Sequence, residues 1–300
     1  MCVCRVKKIY FKKLKNKNKI NLCSFASPDL KRSADRIKKQ AESINLYNKI
    51  KVFSVDDLKK KKKDFLKKKL KEGNIRGYGY WFWKPLIIKK FLLSLKKNEI
   101  LNYVDVGSHI NLDGFDRLNY YINLVQKSKK GILAFQFNKL KNNNFIFPKR
   151  YEYMYTKSDL LDYFKVLNNK KITHTPQYES GCFFLKKNKY TLKLLDEWAN
   201  VYKEKFNLAD DSKSKIKNLK GFVENRHDQS IFSILCKKYK VKTLSAFEID
   251  WAMLGNQRTW EHNRDCPILL KRDLKYNFLK TFLNRQKRKY RRFVKKLNLN

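Results

Sequence analysis

Ile20-Asn21-Leu22-Cys23-Ser24-Phe25-Ala26-Ser27-Pro28 is the stretch whose reading decides the fold. Its first seven residues read as a buried strand. Ser27 then offers an N-cap, and Pro28 is the residue best tolerated at a first helical position, so a helix is expected to start here. Leu30, Ala34, Ile37, Ala41 and Ile44 follow at alternating spacings of four and three, which aligns them on one helical face. Lys51-Val52-Phe53-Ser54-Val55 supplies the next strand. Strand, helix, strand in this order opens an α/β domain with a central, mostly parallel sheet flanked by helices, where ligands gather at the carboxyl ends of strands.

Further along, Lys59 to Lys71 is a nearly unbroken lysine run whose Phe65, Leu66 and Leu70 mark one apolar stripe on a solvated helix. An aromatic block follows, Gly77-Tyr78-Gly79-Tyr80-Trp81-Phe82-Trp83-Lys84-Pro85, then an amphipathic helix from about Pro85. Ile100 to Val106 reads as a strand that delivers Asp105 at its carboxyl end. Helices are expected over Phe115 to Val125, Tyr163 to Val166, around Leu194 to Tyr202, and from His227 onward. Further strands are expected over Gly131 to Phe137, Gly181 to Leu185 and Val241 to Phe247, and Asn207 to Lys220 reads as a surface loop. The organisation is therefore a basic segment 1–19, one α/β domain over 20–270, and a basic amphipathic helical tail. That tail, 271–300, holds twelve Lys or Arg and one acid.

The chain has 300 residues, 42% of them hydrophobic, enough for a sizeable core. Lys and Arg number 71 against 27 Asp and Glu, a formal charge of +44, so an anionic partner is expected. Nucleic acid, an acidic membrane face and phosphate-bearing substrates all fit. Part of the excess is compositional drift, because Lys and Asn are abundant while Gly numbers only nine, against an average usage of roughly 7%. The six cysteines are scattered, mostly through apolar runs, as reduced core thiols are. No apolar run reaches signal-peptide or membrane-span length, so a cytoplasmic protein is expected, held peripherally on the inner face of the plasma membrane by its tail.

The chemistry concentrates in three places. Asp105, at a strand end and followed by Gly107, either caps the next turn or faces a metal or phosphorylated ligand. Trp81 and Trp83 either pack in the core or present ring faces to a sugar or base. Lys84, beside a helix start, is placed for a diphosphate. Arg226-His227-Asp228-Gln229 sits at a helix N-terminus, where Asp228 either caps the helix or works at a pocket rim. Glu179, before an apolar strand, is a second candidate for contact with an acceptor hydroxyl. His262 is a late candidate for metal or phosphate.

These blocks resemble a known family. Arg76 to Ile88 (RGYGYWFWKPLII), Asn102 to Gly107 (NYVDVG), Tyr155 to Leu160 (YTKSDL), Glu179 to Asn188 (ESGCFFLKKN) with Asp196-Glu197-Trp198, and Asn225 to Leu235 (NRHDQSIFSIL) are similar, in order, to bacterial surface-polysaccharide (capsule or lipopolysaccharide) glycosyltransferases of GT-A-like fold. The resemblance implies a nucleotide-diphosphosugar donor, bound by Trp81, Trp83, Lys84, Asp105, Gly107, His227 and Gln229. It also implies a divalent cation, Mn or Mg, at Asp105. Gly107 stands where such enzymes usually carry a second Asp, so a ligand shifts to Asn111, Asp113 or His262, or the metal is dispensable. Asp228 and Glu179 are the catalytic candidates, because an inverting transferase needs a base near the acceptor hydroxyl.

The expected activity is therefore transfer of a sugar, hexosyltransferase-like, to a glycan or lipid-linked acceptor. The alternatives are a nucleic-acid-binding protein or a non-catalytic relative that binds membrane or glycan. Nucleic acid is disfavoured: the aromatics sit in one block instead of interleaving with basic residues, and no zinc or helix-turn-helix pattern is present.

Overall fold

The structure is a computed structural model that describes residues 20–72, 76–139 and 141–272, together with Gln286. The basic N-terminal segment, Cys2 and Cys4, and the tail beyond Arg272 lie outside the described residues, Gln286 apart.

In chain order the main elements are β1 (Ile20–Phe25), α1 (Lys31–Ser43), β2 (Tyr47–Phe53), α2 (Lys60–Lys71), α3 (Trp83–Ser94), β3 (Ile100–Val104) and α4 (Phe115–Lys127). They continue with β4 (Ile132–Gln136), β5 (Tyr178–Lys186), α5 (Lys189–Glu204), α6 (Asp228–Tyr239) and β6 (Lys242–Ser245). These strands form one six-stranded sheet in the order β2-β1-β3-β5-β4-β6. All its pairings are parallel except those of β5, which runs antiparallel to β3 and β4. The expected α/β architecture, a mostly parallel sheet flanked by helices, is the one observed.

Period-two alternation sorts the strand residues onto two cores. Cys23 and Phe25 of β1, Leu101 and Tyr103 of β3, and Phe183 and Leu185 of β5 face α3, α5 and α6. Ile20 and Leu22, Ile100 and Val104, and Cys182 and Phe184 face α1 and α4. Both faces are buried, which is why β1, β3 and β4 read as largely apolar runs, broken by Asn21, Ser24 and Asn102. The four described cysteines are buried free thiols, as expected.

Several boundaries differ from the sequence reading. β2 begins at Tyr47, because an edge strand tolerates Lys49 and Lys51 at exposed positions. The helix expected over Tyr163 to Val166 lies earlier, over Ser158–Tyr163, and Lys165 is left-handed (φ 57). The strand expected over Val241 to Phe247 stops at Ser245, whose side chain caps a 3-10 turn over Ala246–Glu248. The loop after α5 is tethered by the buried Lys157, whose ammonium donates to Asn207 O (2.5 Å) and Ser212 Oγ (3.2 Å).

Two irregularities shape the carboxyl edge. Pairing between β4 and β5 jumps from Ala134↔Phe183 to Phe135↔Glu179, so β5 bulges over the residues between. Bulges of this kind re-aim side chains beside functional sites. The second is the aromatic block, which is neither extended nor an ordinary turn. Gly77 to Trp81 all have positive φ, from 52° to 92°, and Tyr80 N and Trp81 N donate to Arg76 O and Gly77 O. This is one turn of left-handed helix.

For Tyr78, Tyr80 and Trp81 that hand costs about 1–2 kcal/mol per residue, so the surroundings must hold it. Tyr202 Oη donates to Tyr80 O (2.6 Å), and Trp83 Nε1 to Tyr78 O (3.1 Å). Gly79, at φ 92°, has Leu66 Cδ1 2.7 Å from where a Cβ would stand. Gly79→Ala is therefore expected to destabilise the fold by roughly 2–3 kcal/mol, conformational cost and clash together. Thermal denaturation checks this, and a melting temperature equal to that of the wild type would contradict it.

Candidate active site

The antiparallel sense of β5 creates the site. Parallel strands present their carboxyl ends to one edge, and a reversed strand brings its amino end there. Val104, the last residue of β3, pairs with Cys182, so Asp105 stands beside Gly181 and its N–H donates to Gly181 O (2.8 Å). The start of α6 and the start of α3 reach the same edge. They bring Asp228 and Lys84.

Lys84 is the centre. It is 99% buried, and its ammonium lies 2.5 Å from Asp228 Oδ2 and 3.3 Å from Asp105 Oδ1, with Ser180 O also at 3.3 Å. The face of Tyr103 lies 5.0 Å below it. Burial opposes the charge on Lys84, but the two carboxylates outweigh burial and hold its pKa above the usual lysine value. Asp228 is pushed up by burial, against the pull of Lys84. Its Oδ2 also accepts from Ser180 Oγ (2.9 Å), so Asp228 ties α6 to β5 and α3; the N-cap is His227, whose side chain makes no capping bond. Asp105 Oδ1 is shared between Lys84 and the hydroxyl of Tyr103 (2.8 Å).

Glu179 has different company. Its Oε1 accepts the N–H groups of Ser180 and Gly181, each at 3.0 Å, and its Oε2 lies 3.8 Å from Arg150 Nη1. Burial, then the nearby Asp250 carboxylate, pushes its pKa up to about 7, although Arg150 and the backbone donors pull the other way. Arg150 is itself held by Asp250 (3.1 Å) and by the ring of Phe137.

These groups border one cleft of about 250 Å³, which also receives Trp81, His227, Gln229 and Gly107. Eight of the nine sequence candidates at the donor and catalytic positions thus meet in one place. Trp83 does not: it is buried, stacked on Phe25 at 3.8 Å, and belongs to the core. His227 is buried and its Nδ1–H donates to Ala209 O (2.8 Å). Burial lowers its pKa to about 4, so the ring is neutral at pH 7 and serves as a wall against Tyr80 and Trp81. Gln229 Nε2 donates to Gln177, which is anchored in turn on the buried Glu152.

The metal ligands named from the sequence do not come together. His262 Nε2 contacts Asp250 O (3.0 Å) and its ring packs against Phe145, Phe147 and Phe247, off the cleft. Asn111 holds the carbonyls of Arg264 and Cys266, and its side chain receives Asp113 N–H. Among the described residues no group of three or more His, Cys, Asp or Glu is placed to hold a metal ion. The carboxylates nearest such a position, Asp105 and Asp228, enclose an ammonium instead, so the donor set does not fit a divalent cation.

Sequence reading missed Arg150, Asp250, Trp251 and Arg272, which complete the walls. They come from irregular segments, and neither spacing nor periodicity singled them out. The residue type of Trp251 was the one signal available, and the structure places Arg258 Cζ over its ring, 4.2 Å from the centroid.

No family model and no curated protein matches the chain. Solved structures similar to it include a glycosyltransferase involved in glycosylation of the major capsid of PBCV-1. That likeness has 12% identity, 87% of this chain, 96% of that one, and TM-score 0.47. Mouse xyloside xylosyltransferase 1, apo form, is 10% identical over 77% of this chain and 87% of its own, with TM-score 0.38. The WbbM bifunctional glycosyltransferase, apo structure, is 12% identical over 79% of this chain and 40% of its own, with TM-score 0.39.

Proposed function

We propose that the chain is a glycosyltransferase of GT-A-like fold, transferring a sugar from a nucleotide-diphosphosugar to a glycan or lipid-linked acceptor in surface polysaccharide or lipopolysaccharide synthesis. One observation carries this reading. A carboxylate titrating near 7, Glu179, shares a cleft with several fixed cations and an indole, Trp81, at the carboxyl edge of a mostly parallel sheet. A base of that strength suits the removal of an acceptor proton, the cations suit a diphosphate, and the indole suits the apolar face of a sugar.

In the proposed step the acceptor oxygen attacks the anomeric carbon of the donor. Its proton passes to Glu179, the bond from the anomeric carbon to the diphosphate oxygen breaks, and the nucleoside diphosphate leaves with that electron pair. Asp105 and Asp228 keep Lys84 charged beneath the cleft and are positioning residues for it. The resemblance of the sequence blocks supports the donor class. The basic tail supports a peripheral membrane location on the cytoplasmic side, and no helix among the described residues is long and apolar enough to cross a membrane.

Glu179→Gln is expected to lower kcat at least 100-fold, on the scale of lost general-base catalysis, with little change in donor affinity measured by titration. Activity of the wild type should fall as pH drops below about 7, where Glu179 takes up its proton. Stability moves the other way. A carboxyl group raised in the folded state binds more protons there than when unfolded, so its ionisation costs stability as pH climbs from the ordinary glutamate range through about 7. Glu179→Gln should therefore melt a few degrees higher than wild type at pH 8 and show no such gain near pH 4.5. A pH-independent difference would remove Glu179 as the raised group. Deleting 273–300, which spares Arg272, should release the protein from acidic vesicles and leave donor binding intact; retention on the vesicles would refute the role of the tail.

A further inference from the structure

Gly107, the residue that breaks the expected pair of acids, stands against the side chain of Arg272. A Cβ at this position would lie 3.2 Å from Cγ of Arg272 and 3.6 Å from its Cδ and Nε. The glycine leaves room for the arginine side chain at the wall of the cleft that Asp105 also lines. Arg272 is exposed and borders the cleft, and among the described residues no carboxylate lies against it. The other cleft cations are committed: Arg76 to Glu224, Lys84 to Asp105 and Asp228, Arg150 to Asp250, and Arg226 to Glu224 and the face of Tyr155.

We infer that this site binds the diphosphate of its donor without a divalent cation, with the Arg272 guanidinium, admitted by Gly107, taking the phosphate charge. Lys84 already fills the space between Asp105 and Asp228, so a metal ion there would have to expel a buried ammonium that makes two ion pairs. Removing one partner of such a pair leaves an uncompensated buried charge, which is strongly unfavourable. A guanidinium, in contrast, offers a planar fork of donors matched to phosphate oxygens. The inference rests on the transferase reading above and specifies how its donor is held.

The test is titration of the full-length protein with UDP and with GDP, in EDTA and in excess Mn²⁺ or Mg²⁺, followed by calorimetry. Affinity for the preferred nucleotide should agree within about threefold between the two conditions. Arg272→Ala should weaken it at least tenfold, Arg272→Lys less, and Gly107→Asp should weaken it in EDTA by placing an acid against the arginine. Circular dichroism would establish that each variant is folded, and Arg272, being exposed, can be replaced without opening the core. Binding that requires Mn²⁺ or Mg²⁺, or an Arg272→Ala variant with wild-type affinity, would overturn this inference and leave the transferase reading standing. Failure of every nucleotide and nucleotide-sugar to bind in either condition would sink both.

Discussion

One buried ammonium holds the carboxyl edge together. Lys84 comes from the start of α3, Asp105 from the end of β3, Asp228 from the first turn of α6, and Ser180 from the bulge of β5. Four elements distant in sequence are thus fixed by a single charge removed from water. A charge so placed is tolerated only when its partners are complete, and each partner is useless without it. The arrangement explains why Asp105 and Asp228 are spaced as they are. They answer the geometry of the lysine and stand too close to it to act independently.

Around that centre the cleft is electrically mixed, and the mixture sets the separate roles of its carboxylates. Asp228 and Asp105 share a cation at contact distance, whereas Glu179 meets its nearest cation only at 3.8 Å and faces Asp250 across Arg150. The first pair is held for structure. The lone carboxylate keeps a proton near neutrality. Burial raises both Asp228 and Glu179, but only Asp228 has a cation in contact to pull against it.

Much of the fold was legible because burial on both sheet faces writes itself into the sequence. β1, β3 and β4 are largely apolar runs, and α1 shows its four-three spacing plainly. The antiparallel sense of β5 was not legible, since an apolar strand reads alike in both directions. That reversal is what brings Glu179 and Ser180 to the carboxyl edge, beside Asp105 and Lys84. At the site, Asp105, Lys84 and Asp228 were found because each occupies an element end, a position that sequence marks. Trp83 misled because ring density does not say which ring faces inward, and in a left-handed turn the usual alternation no longer applies. Arg272 and Arg150 escaped because long side chains reach a cleft from segments without periodicity.

The left-handed turn at Gly77 to Trp81 also bears on what holds the cleft in shape. An L-residue segment of this hand has no local stability of its own, and its carbonyls are held by Tyr202 of α5 and Trp83 of α3. Trp81 is backed by His227, itself at a positive φ of 52°. The turn therefore has its shape only while α5 and the start of α6 are docked on the sheet. Because it seats Trp81 and leads directly into Lys84, that wall of the cleft depends on the packing of α5 and α6 and not on local structure alone.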